Sequence, residues 1–170
     1  LDIHYSKADA SQSILDMTNE QVSFTANEVL YLSKLDDILS TACYGIDQCI
    51  SNISLLEHEI YSHCSYSEAC RLFSATSIGA NSVVYWYNNY DIWYNELELS
   101  AFDMEKGIQH REWFWSSLNR MGKADIAGGL VGGLFGALAG GVGAIPGALS
   151  GACIASGNCG LVCIYEHLIE

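Results

Sequence analysis

Cysteine and histidine are the side chains in this sequence best able to do chemistry. The cysteines are Cys43, Cys49, Cys64, Cys70, Cys153, Cys159 and Cys163, and the first six form three Cys-x5-Cys pairs. Structural zinc sites usually place ligands two to four residues apart and often include histidine. Redox centres use Cys-x-x-Cys. The Cys-x5-Cys pairs have neither spacing. Paired cysteines in a chain that opens on Leu1, read as a processed end, point instead to disulfides and an oxidising, exported compartment.

Geometry narrows the pairing. Residues i and i+6 of one helix lie about 9 Å apart along the axis and about 120° apart around it, too far for a disulfide. A local bridge therefore needs a break in the helix. Gly45 offers one between Cys43 and Cys49, and Ser156-Gly157-Asn158 is turn-prone between Cys153 and Cys159. Local bridges Cys43–Cys49, Cys64–Cys70 and Cys153–Cys159 are the favoured set. The nested alternative joins Cys43 to Cys70 and Cys49 to Cys64. Cys163 is then left as a free or intermolecular thiol.

The histidines do not converge on a metal. His58-Glu59-Ile60-Tyr61-Ser62-His63 resembles a zincin helix, but its second histidine is five residues on. Five residues rotate a helix by about 140° beyond a full turn, so the two imidazoles diverge. Gly141-x-Gly143 has neither the strand-to-helix setting nor the lysine of a phosphate loop. The chain reads as a non-enzyme, with no metal and no cofactor.

Charge sorts the partners. Lys and Arg total 7 against 20 Asp and Glu, a net −13. Nucleic-acid binding needs cations to displace counterions from phosphate, so that class is excluded. From Leu1 to Glu105 there are 3 basic and 16 acidic residues, and from Lys106 to Asp125 there are 4 basic and 2 acidic. From Ile126 to Tyr165 there is no charged residue, and 13 of the 16 glycines fall between Gly122 and Gly160. The organisation is an acidic, aromatic-rich body over 1–122 and an apolar small-residue tail over 123–170.

The elements that position these residues are helical. Ile14, Met17, Gln21, Phe24, Val29, Leu32, Leu35 and Leu39 recur at helical spacing after a capping Ser11 or Ser13. Ile46, Ile50, Ile53, Leu56 and Ile60 mark a second helix. A third runs from about Tyr66 to Asn95, and a further one from Leu97 to Leu118. The expected fold is all-α: a bundle of four to five helices with a C-terminal glycine-zipper helix or helical hairpin.

The tail carries a ladder. Gly128, Gly132, Gly136 and Gly140 recur every four residues, and Gly143, Gly147 and Gly151 repeat that period after a step of three. Four-residue spacing puts them on one helical face, where a second backbone can approach closely. In water each helical glycine costs about 0.8–1 kcal/mol relative to alanine. Seven in a leucine-rich, charge-free segment indicate close helix packing. One long membrane span, two short helices folded at Gly140–Pro146, and a hairpin packed inside the body all fit. Trp113, Trp115, Arg120 and Lys123 precede the segment in the order of membrane-interface anchors. Trp86 and Trp93 read as core.

The stretch Lys123-Ala-Asp-Ile-Ala-Gly-Gly-Leu-Val-Gly-Gly-Leu-Phe-Gly-Ala-Leu-Ala-Gly-Gly resembles the glycine-zipper segments of class II bacteriocins. It also resembles the Gly/Ala-rich ends of small exported Bacteroidetes proteins. The likeness covers about 35 of the 170 residues. It implies export, cysteine content and association with or permeabilisation of membranes. The functional expectation is a secreted or cell-surface, membrane-active, bacteriocin-like or toxin-like protein. The alternatives are a structural subunit of an extracellular or cell-surface assembly, with other subunits or copies of itself (a homo-oligomer) as partners, and a soluble secreted binding protein.

Overall fold

The computed structural model describes residues 12–18, 21–40, 45–96, 109–138, 145, 147–155 and 159. These residues form an all-α fold, and no strand occurs among them. The helices are α1 (Ile14–Met17), α2 (Ala26–Ser40), α3 (Ile46–His63), α4 (Tyr66–Glu96) and α5 (Gln109–Leu138). A sixth helical stretch, α6, covers 147–155. Among the described residues six helices thus stand where four or five were expected, chiefly because the first apolar period is split.

That split has a local cause. Ser13 caps α1 through a capping box: its hydroxyl accepts from the Asp16 amide, and the Asp16 carboxylate accepts from the Ser13 amide. The helix ends at Thr18, whose hydroxyl donates to the Leu15 carbonyl. A second box, Thr25-x-x-Glu28, then starts α2. Glu28 Oε2 accepts from the Thr25 amide at 2.8 Å, and Thr25 Oγ1 accepts from the Glu28 amide at 3.2 Å. Two starts within one apolar period override its continuity.

A third box, Ser65-x-x-Glu68, opens α4 and is joined to the second. Glu68 Oε2 accepts from the Ser65 amide at 2.8 Å and from the Ser65 hydroxyl at 2.7 Å. The other oxygen accepts from Thr25 Oγ1 at 2.6 Å. Arg71 Nε stands 2.7 Å from Glu28 Oε1, so the beginnings of α2 and α4 are fastened side by side. Gly45, at the start of α3, has φ +143°, a conformation that side-chain-bearing residues rarely adopt.

These hydrogen bonds set an acid limit. Acceptance from Thr25, then from Ser65, holds the Glu68 carboxyl well below its usual value, at about 2. A group whose folded value is depressed contributes stability that is full above the unfolded value, near 4.5, and is lost as pH falls toward 2. Glu68→Gln is therefore expected to lower the melting temperature at pH 7. The gap from the unsubstituted chain should narrow between about pH 4.5 and pH 2. Thermal melts across that range would check it, and a gap that stays constant would contradict it.

The core runs through the bundle as Ile14, Leu32, Leu35, Leu39, Ile53, Ile60, Leu72, Val83, Leu118 and Ile126. Trp86 packs against it, as expected, while the Trp93 side chain lies outside the described residues. The helix at its centre is α5, which contacts α1, α2 and α4. From Ser117 to Ala127 every α5 residue is buried except Asn119, which is half-buried. A helix enclosed on all sides must satisfy its charges internally. This one carries Arg120, Lys123 and Asp125 at 6%, 3% and 8% exposure.

The expected disulfides are corrected. No two of the described cysteines Cys49, Cys64, Cys70, Cys153 and Cys159 are joined. The nested Cys49–Cys64 bridge fails on geometry, because α3 runs unbroken between them and separates its ends by about 1.5 Å per residue. Cys49 is a core thiol that donates to the Ile38 carbonyl. Cys43 and Cys163 lie outside the described residues. Burial pushes the Cys49 thiol up, and burial together with the carboxylates of Glu68 and Glu28 raises Cys64. Alkylation of the native protein is thus expected at exposed Cys70 and Cys153 first, at Cys64 more slowly, and at Cys49 only on unfolding. Mass spectrometry of peptides over a time course would read this order, and early labelling of Cys49 would contradict it.

Candidate functional site: the glycine-lined contact of α5 and α6

Sequence dictates the contact. Gly128 and Gly132 are one helical turn apart on α5, and Gly147 and Gly151 are one turn apart on α6. A methyl group placed on Gly132 would strike the Gly147 carbonyl oxygen and lie 3.1 Å from the Gly151 Cα. One placed on Gly128 would strike the Gly151 carbonyl oxygen and lie 2.6 Å from the Ala155 Cβ. One on Gly151 would strike the Gly128 carbonyl oxygen. The two backbones touch with no side chain between them. Of the remaining ladder positions, Gly136 lies in α5, while Gly140 and Gly143 lie outside the described residues, as does Pro146.

Glycine also seats this pair on α4. Ile78 Cδ1 occupies the space a Gly129 side chain would need, at 2.5 Å, and Ile126 Cδ1 lies 2.8 Å from where a Gly79 Cβ would stand. Farther along α5 the seating loosens. A groove of about 510 Å3 opens between α4, with Ser74 and Ser77, and the α5–α6 pair, with Gly133, Leu134 and Ala148. Ile145, just before α6, and Leu149 border this groove, and together with Ile154 of α6 they are 75%, 64% and 65% exposed. These apolar side chains belong to a segment without charge, so they meet their surroundings as hydrocarbon.

The base of the pair is held by polar contacts. Lys123 Nζ lies 2.9 Å from Asp36 Oδ2 on α2. The other Asp36 oxygen accepts from the Ile14 amide of α1 at 2.9 Å. Asp125 accepts from the Ser82 hydroxyl and, at 3.4 Å, from Trp86 Nε1, both on α4.

Of the four expected interface anchors, the structure describes the side chains of Arg120 and Lys123. Arg120 and Lys123 sit in the interior of the bundle, because the acidic body supplies Lys123 with its carboxylate in Asp36. Trp113 and Trp115 lie on α5, but their side chains are outside the described residues. His58 and His63 are both exposed, and each bonds the carbonyl four residues back, Ser54 and Glu59, rather than one another.

Sequence reading missed Asp36, Ser82 and Asp125. Asp36 and Lys123 are 87 residues apart, and no local pattern pairs them. Comparison with protein-family models, curated proteins and solved structures finds no match to this chain. Among the described residues, no helix is long and apolar enough to cross a membrane.

Proposed function

We propose that this chain is an exported glycine-zipper protein, bacteriocin-like or toxin-like, that acts at membranes through its C-terminal α5–α6 hairpin. The observation that carries the reading is the exposure of the apolar side chains Ile145, Leu149 and Ile154, on a segment free of charge and packed backbone to backbone on α5. Glycine contacts let two helices associate without a water-driven hydrophobic force, which suits them to lipid. The acidic bundle keeps this hairpin in solution. At a bilayer, the exposed Ile145, Leu149 and Ile154 enter the interface first.

A second reading is a subunit of an extracellular assembly, in which the same face meets another copy. It rests on the same exposed side chains, and among the described residues no helix is long and apolar enough to cross a membrane.

Flotation with phosphatidylcholine vesicles tests the first reading. The unsubstituted chain is expected to float with the vesicles. Leu149→Asp combined with Ile154→Asp is expected to stay in the dense fraction while keeping its helical content. These two side chains are already solvent-exposed, so their loss leaves the bundle intact. A large particle by light scattering without lipid, and no flotation, would replace this reading with the assembly.

A further inference from the structure

We propose that the Asp36–Lys123 pair is an autoinhibitory clasp that holds the α5–α6 hairpin closed on the bundle. Three observations meet here. Lys123 is 3% exposed and its ammonium is spent on one carboxylate from α2, which also holds the first amide of α1. Charge on α5 ends at Asp125, so no ionised group fastens the glycine-rich half beyond it. Past Leu130 that half is only half-buried and borders an open groove against α4, so its grip on the body loosens beyond the buried base.

An apolar pair of the same size would hold the position as well or better, because burying two charges removes them from water. What an ion pair adds is asymmetry. Removing either partner leaves the other charge buried and uncompensated, and the helix that carries it is driven outward. The clasp therefore converts the loss of one contact into release of a whole segment. Its role in membrane engagement rests on the function proposed above. The clasp itself is tested without lipid.

Amide hydrogen exchange of the full chain reads it. Asp36→Asn keeps an acceptor for the Ile14 amide but removes the charge opposite Lys123. Glycine-rich helical segments of this length are marginal outside a packed bundle, so release shows as exchange. Asp36→Asn is expected to lower protection over 126–138 and 147–155 by at least about tenfold, with α3 unchanged. Adding Lys123→Met should restore that protection. Unchanged protection in the single variant overturns the clasp. So does equal loss in α3, or a double variant that remains as open as the single one. If the hairpin opens in Asp36→Asn but the variant releases no dye from phosphatidylcholine vesicles, the clasp stands and the membrane function falls.

Discussion

Gly132→Leu is expected to separate α6 from α5 and to unfold the C-terminal hairpin while the α2–α4 body stays helical. The reason is local. The first carbon of any side chain at Gly132 meets the Gly147 carbonyl oxygen, which is backbone and has no rotamer to change. Relief requires moving one helix away from the other, which also opens the Gly128–Gly151 approach one turn below. Even Gly132→Ala is informative. Alanine raises helix propensity by about 0.8–1 kcal/mol, so an isolated helix would gain. Here overpacking of about 1–3 kcal/mol opposes that gain, and the net expected effect is a loss. Chemical denaturation monitored separately for the tail and the body would measure it. A Gly132→Ala protein more stable than the original would show that α6 does not rest on α5.

Lys123→Met is expected to cost about 3 kcal/mol. Breaking a buried ion pair from one side typically costs 3–5 kcal/mol, because the remaining charge stays desolvated. The Asp36 side chain keeps 17% of its surface, which lets water reach the carboxylate and sets the loss at the low end. A domain of this size holds about 5–15 kcal/mol in total, so the loss is a large fraction of it. Combining Lys123→Met with Asp36→Asn should recover most of it. The signature is therefore strong coupling in a double-mutant cycle rather than two independent losses. Additive effects would mean that each residue acts through other contacts.

Several features of this fold are written in short sequence windows. The helical periods of α3 and α4 match their apolar spacing, and Ser13 caps α1. Thr25-x-x-Glu28 and Ser65-x-x-Glu68 are capping boxes visible in four residues each. The break between α1 and α2 was legible there too, but the longer apolar period masked it.

What could not be read depends on distant pairing. The cations at Arg120 and Lys123 followed by an uncharged run have the order of a membrane boundary. Only the arrival of Asp36 from α2 turns Lys123 into an interior residue. The cysteines misled for a similar reason. Cys-x5-Cys spacing looks like a framework, whereas Cys49 points into the core and Cys64 sits beyond the last turn of the same helix. Gly128, Gly132, Gly147 and Gly151 mark where the α5 and α6 backbones come close, since close approach needs only the absence of side chains.

The central claim is that the charge-free segment after Asp125 engages lipid through the exposed apolar side chains at α6. Dye release from vesicles of phosphatidylcholine, with and without added phosphatidylglycerol, tests it most directly. The chain is expected to empty zwitterionic vesicles. It should act more weakly on anionic ones, because the −13 chain is repelled by a negative surface. Leu149→Asp with Ile154→Asp should be inactive on both. Vesicles that stay sealed, or a double variant as active as the unsubstituted chain, would contradict the account.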